Sequence, residues 1–99
     1  MILITGSILA RPDSIDALRE AGMEHSRRSR AEPGCVAHNV HVDCENPLRL
    51  VFVEQWQDQG AVAAHFKVKG SIDFVVAARK LAAAPPVIEL FDTEPLPFG

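Results

Sequence analysis

Residues 54–66 read Glu54-Gln55-Trp56-Gln57-Asp58-Gln59-Gly60-Ala61-Val62-Ala63-Ala64-His65-Phe66, and they decide the fold. The preceding run from Leu48 to Trp56 alternates with a period of two. Leu50, Phe52, Glu54 and Trp56 fall on one side, Val51, Val53 and Gln55 on the other. Both sides are apolar enough for a central strand. The period then changes to that of a helix. Asp58 stands where a helix cap belongs, and Ala61, Val62, His65 and Phe66 follow it. A strand thus ends and a helix starts within a few residues. An indole, a carboxylate and an imidazole come near one wall of a small core.

Upstream, residues 35–44 alternate as well. Cys35, Ala37, Asn39, His41 and Asp43 share one face, and Val36, His38, Val40, Val42 and Cys44 the other. Glu45-Asn46-Pro47 reads as a hairpin turn into the strand at 48–56. Residues 2–10 read as a further central strand. Gly6 in its middle marks a bulge or a place where a ligand or backbone comes close. Pro12, with Asp13 or Ser14 as cap, opens a helix that runs to about residue 29. Ile15, Leu18, Gly22 and His25 lie on one side of it. Glu32-Pro33-Gly34 then breaks it.

Downstream of the quoted stretch, Lys67 to Gly70 interrupts the helical pattern. A second helical stretch, with Ser71 as its cap, carries Ile72, Phe74, Val75, Val76, Ala78 and Leu81. Ala84-Pro85-Pro86 ends it, and residues 87–93 form a last strand. The tail from Glu94 to Gly99 is extended, because its prolines forbid a central strand.

The order β-α-β-β-α-β, with right-handed crossovers, gives an α+β fold of the ferredoxin-like kind. It is a four-stranded antiparallel sheet with helices on one face, one domain over residues 1–99. The opposite sheet face would stay bare and apolar, so a homodimer packed sheet to sheet is expected.

With 99 residues the chain has room for one core. Ten Lys and Arg against 13 Asp and Glu leave a net charge of −3, without the basic surplus of a nucleic-acid binder. Arg27, Arg28 and Arg30 close a helical pattern, where cations complement the helix dipole, or they form an anion site. No apolar run approaches the ~18 residues of a membrane helix. Met1-Ile2-Leu3-Ile4-Thr5-Gly6 has no basic residues ahead of the apolar ones, so a cytoplasmic protein is expected. Cys35 and Cys44 would lie about 30 Å apart on one strand, beyond disulfide reach, which suits a reducing compartment.

Phosphate loops, dinucleotide fingerprints and Cys-x-x-Cys pairs are missing from the sequence. His38 and His41, three apart on a strand, face opposite ways and cannot chelate one ion. His25 and His65 lie on different helices without an evident partner. A metal site is possible in space, but no spacing announces it, and no cofactor is expected. What remains is a pocket wall made of Trp56, Glu54, Phe52, Asn39, His65, Phe66 and Phe74, with His41 beside Asn39. Bland readings stand next to this one. Trp56 could fill the core, His65 could be a satisfied helix residue, and Asn39 and His41 could face solvent or a partner. Glu54 is harder to dismiss, since a carboxylate beside Phe52 and Trp56 must be paired or protonated.

Three motifs together resemble the antibiotic biosynthesis monooxygenase domain, the family of quinol monooxygenases and polyketide anthrone oxygenases. They are Glu32-Pro33-Gly34-Cys35-Val36, Glu54-Gln55-Trp56-Gln57-Asp58, and Ala61-Val62-Ala63-Ala64-His65-Phe66 with Phe74. The resemblance covers nearly the whole chain and implies a dimeric α+β barrel. It also implies oxygenation of a quinol, anthrone or polycyclic phenol by O2 without flavin, haem or metal. By that analogy Trp56 stacks on the substrate, His65 binds or deprotonates a ring oxygen, and Asn39 holds a carbonyl. Phe52, Glu54, Phe66, Phe74 and His41 complete the pocket. The chain departs from the family in having no Tyr, on which some anthrone oxygenases rely. A haem-degrading branch uses an Asn on the first strand, where this chain has Gly6 and Ser7. Haem binding, a non-enzymatic dimeric module for a small aromatic ligand, and an isomerase or dehalogenase of the same barrel type are the competing readings.

Overall fold

The computed structural model describes residues 1–98. In chain order the elements are β1 (Ile2–Leu9), α1 (Ile15–Ser29), β2 (Cys35–Asp43), β3 (Asn46–Trp56), α2 (Gln59–Lys67), α3 (Lys69–Leu81) and β4 (Val87–Asp92). The strands form one antiparallel sheet in the order β2-β3-β1-β4. This is the ferredoxin-like α+β arrangement expected, with the two strands that are apolar on both faces at its centre. None of the described helices is long and apolar enough to cross a membrane.

The local signals act largely as anticipated. Asp58 caps α2, its Oδ1 accepting from the Ala61 N–H at 2.8 Å. Ser71 is not the cap of α3, which starts at Lys69. Ser71 is instead buried in the first turn, with its hydroxyl 3.4 Å from His65 Nδ1. The hairpin turn is also tighter than expected. Asp43 pairs with Asn46, so Asn46 and Pro47 already belong to β3.

One irregularity sets the faces of β2. Cys35 pairs with Trp56 and Ala37 with Gln55, so Val36 is an extra residue. Such a bulge reverses the alternation. Cys35 therefore shares the inner face with His38, rather than the outer face with Ala37 and Asn39.

On the inner face the residues form rows across the strands. Phe52 lies beside Val40 and Gly6, and Glu54 beside His38 and Ile4. Trp56 lies beside Cys35 and Ile2. The apolar core is split by the middle row. Ile8, Ala10, Leu18, Leu50, Phe52 and Ala78 cluster on one side of it. Ile2, Ile4, Trp56 and Val62 cluster on the other. Between them His25, His38, Glu54 and His65 are buried. Each fully buried Leu or Ile stabilises the fold by about 1.5–3 kcal/mol, and polar groups in the same interior must find partners.

Helix α1 packs on β2 and α3, and α2 packs on β3 and α3. The edge strand β4 receives no comparable cover. Its inward-facing Ile88 and Leu90 remain half exposed, at 55% and 47%. The resulting gap beside β4 gives access to the buried polar row.

Candidate active site

A cavity of about 110 Å³ lies between the sheet and the three helices. The sheet contributes Gly6, Phe52 and Glu54, and the helices contribute His65, Phe66 and Phe74. Gly6 pairs with Phe52 on one side and Ile88 on the other. A Cβ there would meet nothing closer than the Val87 carbonyl oxygen at 3.4 Å. The missing side chain on a central strand therefore leaves room rather than relieving strain. A wider groove of about 450 Å³ between α2 and β4 shares Phe66 with this cavity. Asp92 is the one ionisable residue lining that groove, so it has little chemistry of its own.

His65 is 2% exposed, and its Nδ1 stands 2.9 Å from Glu32 Oε1. A carboxylate only accepts, so the hydrogen between them belongs to Nδ1 and the Nε2 lone pair is left free. That Nε2 lies 3.9 Å from Glu54 Oε1. The same carboxylate oxygen accepts the Trp56 indole N–H at 3.0 Å and lies 3.2 Å from His38 Nε2. Burial works to raise the Glu54 carboxyl. His38, the Trp56 N–H and His65 outweigh it and hold the group below its ordinary value. A buried acceptor thus stays ionised at the cavity wall.

His38 is wholly buried, with its Nδ1 2.9 Å from Ser26 Oγ. His25 stacks on Phe74, with ring centroids 4.3 Å apart and planes 5° from parallel. Its Nδ1 accepts from Arg28 Nη2 at 2.6 Å. Burial, then electrostatic interaction with His38, His65 and Arg28, pushes its pKa down to about 3. His25 is therefore neutral at physiological pH. A guanidinium cannot accept, so the His25 proton sits on Nε2. The three imidazoles each bring one nitrogen within 4.8 Å of the others, a grouping able to hold a metal ion.

Of the residues expected at the site, Phe52, Glu54, His65, Phe66 and Phe74 are brought together around the cavity. Trp56 is not. It is 0% exposed, packs with Ile2, Ile4 and Val62, and does not line the cavity. Its ring lies 4.5 Å from that of His65, so it backs the site and anchors Glu54 rather than offering a face to a ligand. Asn39 and His41 are also placed elsewhere. They pair with Val53 and Val51 on the outer sheet face and are exposed, and Asn39 Oδ1 accepts from Arg30 at 3.1 Å. The inner place on β2 belongs to His38. His25, His38 and Glu32 are the site residues that sequence reasoning left out. The alternation of His38 with Val40, and of His25 with Gly22 and Leu18, was the signal available for two of them.

The fold and site together define a ferredoxin-like α+β protein with a small aromatic cavity and a buried His–Glu network. The model of the antibiotic biosynthesis monooxygenase family matches residues 1–76, and the chain belongs to that family. A crystal structure of an antibiotic biosynthesis monooxygenase is similar with a TM-score of 0.88 and 25% identity, over 96% of this chain and 100% of that one. A Mycobacterium tuberculosis protein, Rv0793, shares the fold with a TM-score of 0.90 at 19% identity, over 97% of each chain. An uncharacterized protein of Synechocystis sp. is 27% identical over 90 residues. That match takes in 91% of this chain, which spans 61% of the relative's length.

Proposed function

We propose that the protein is a monooxygenase that oxygenates a quinol or related phenol with O2. The observation that carries this is His65, which is buried between the Glu32 carboxylate at 2.9 Å and a cavity lined by Phe52, Phe66 and Phe74. A carboxylate on Nδ1 fixes the tautomer and orients the ring so that Nε2 can accept a proton. Nε2 takes the phenolic proton, and the resulting anion gives an electron to O2. Recombination forms a carbon–oxygen bond, and loss of water leaves the ring as a hydroxyquinone. One quinol and one O2 thus give one hydroxyquinone and one H2O. The neutral His25, with its proton on Nε2, is suited to donate to a developing oxyanion. The rings of Phe52, Phe66 and Phe74 reduce the water beside the intermediate.

The cavity size favours one ring over three. An apolar cavity of about 150 Å³ holds a benzene, and this one measures about 110 Å³, so even one ring must extend into the gap beside β4. A single-ring quinol, or one ring of a larger phenol with the rest in the gap beside β4, suits it better than a whole anthrone. A haem macrocycle suits it least. Oxygen uptake with substituted hydroquinones, compared with anthrones and corrected for autoxidation, tests the assignment. Uptake confined to anthrones would overturn the substrate class.

The reading includes a homodimer joined through the outer sheet face. Leu9, Val87 and Phe91 are 38%, 56% and 45% exposed there. Light scattering at micromolar concentration reads this, with a monomer as the contrary result. Cys35 and Cys44 are free, which accords with a reducing, cytoplasmic setting.

A further inference from the structure

We propose that His38, His65 and Glu54 form a binding site for a divalent first-row transition ion such as zinc or cobalt. Two imidazoles and one carboxylate are a ligand set that such ions accept, with open positions left for water or substrate. In this chain the three donors converge. Glu54 Oε1 lies 3.2 Å from His38 Nε2 and 3.9 Å from His65 Nε2. Adjacent ligands of an ion held at about 2.1 Å stand about 3.0–3.4 Å apart. The rings of His38 and His65 have centroids 5.5 Å apart. Two imidazoles on one tetrahedral ion bring their centroids to about 5.2 Å. His65 Nε2 and Glu54 Oε1 would have to close by roughly 0.5 Å or more to complete the site.

Two further observations point to a ligand. His38 Nε2 is wholly buried and has no hydrogen-bond partner, with Glu54 Oε1 standing 3.2 Å away. The far nitrogen of each ring is already held, His38 Nδ1 by Ser26 Oγ and His65 Nδ1 by Glu32 Oε1. Outer partners of this kind fix metal-ligating imidazoles with Nε2 aimed at the ion. His25 completes the group of three imidazoles. While Arg28 occupies its Nδ1, its Nε2 carries a proton, so it faces the ion's open position as a donor and is not a ligand.

The inference goes beyond the oxygenase reading. A bound ion would occupy the Nε2 of His65 that takes the substrate's proton, so metal and proton compete for one lone pair. The test needs no turnover. Purified full-length protein, stripped with chelator and with Cys35 and Cys44 changed to Ser, is titrated with Co2+ alone. The expected result is a saturable visible ligand-field band that is displaced by Zn2+. Affinity should fall at least tenfold in His38→Gln and His65→Gln and stay unchanged in the exposed His41→Ala. In wild-type protein, nitrogen NMR should show Zn2+ shifting Nε2 of His38 and His65 while His25 keeps its Nε2 proton. The NMR reading stands even if a variant fails to fold. The absence of a saturable band, or Zn2+ shifts confined to His41, would overturn the proposal.

Discussion

Arg28 Nη2 donates to His25 Nδ1 across 2.6 Å, and the imidazole so held lies flat on Phe74. The guanidinium packs over Gly70, where a Cβ would overlap it. A cation therefore fixes the tautomer of a ring that burial already keeps neutral. Stability acquires a pH dependence from this. The His25 pKa falls from 6.5 in the unfolded chain to about 3 in the fold. Below pH 6.5 the unfolded chain gains a proton that the fold refuses, so stability is present above that pH and lost as pH falls towards 3. The loss reaches about 2 kcal/mol by pH 5. The depressed Glu54 carboxyl acts in the same direction, its contribution fading as pH falls through the carboxylate range. Urea unfolding at pH 7 and pH 5 measures the sum. His25→Phe should be less sensitive to pH over that interval, and an unchanged slope would count against a buried neutral His25.

Gly6 is expected to control the cavity. Its Cβ position is open, so Gly6→Ala should keep the fold and stabilise it by up to about 1 kcal/mol. Gly6→Leu places a side chain where a ring would sit. Its turnover should drop at least about tenfold while its melting temperature holds. Parallel loss of folding and activity would mean that the glycine serves packing instead.

Glu32→Gln removes the carboxylate that orients His65. We expect kcat to fall about 10- to 100-fold with KM little changed, because the lost interaction strengthens as the proton arrives. A rise in KM alone would make Glu32 a binding residue.

Trp56→Phe deletes the indole N–H on a buried carboxylate and leaves a void in the cluster of Ile2, Ile4 and Val62. A loss of about 2–4 kcal/mol is expected from denaturant unfolding. If stability held while substrate affinity fell, Trp56 would be a ligand-facing residue after all.

Several of these residues were legible in the sequence. The alternation of Leu50, Phe52, Glu54 and Trp56, and the Asp58 cap after it, fix a strand-to-helix junction by local chemistry alone. Element order then leaves few topologies, so the sheet followed. The face of β2 did not. Both of its sides alternate, and the extra Val36 switches Cys35 to the inner side, an event set by pairing with β3 rather than by composition. Asn39 was placed in the pocket wall and given its carbonyl-holding role by resemblance, whereas the register gives the inner position to His38. The meeting of His25, His38 and His65 was out of reach for a different reason. They come from α1, β2 and α2, and only the packing of those elements brings their rings within 5.5 Å. Trp56 carried the family motif, and its motif role was mistaken for exposure. A side chain that anchors Glu54 from beneath is as constrained by its site as one that touches substrate.

In the proposed reaction His65 takes a proton from a quinol in the cavity so that O2 can react with the anion. The most direct measurement is oxygen consumption by metal-stripped protein with single-ring hydroquinones, corrected for autoxidation, in wild type and His65→Ala. The expected result is uptake of one O2 per quinol, transfer of one labelled oxygen atom into the product, and a rate lowered about 10²- to 10⁴-fold in the variant. Wild-type uptake that His65→Ala leaves unchanged, or folded protein that consumes no oxygen with any hydroquinone or anthrone, would contradict it.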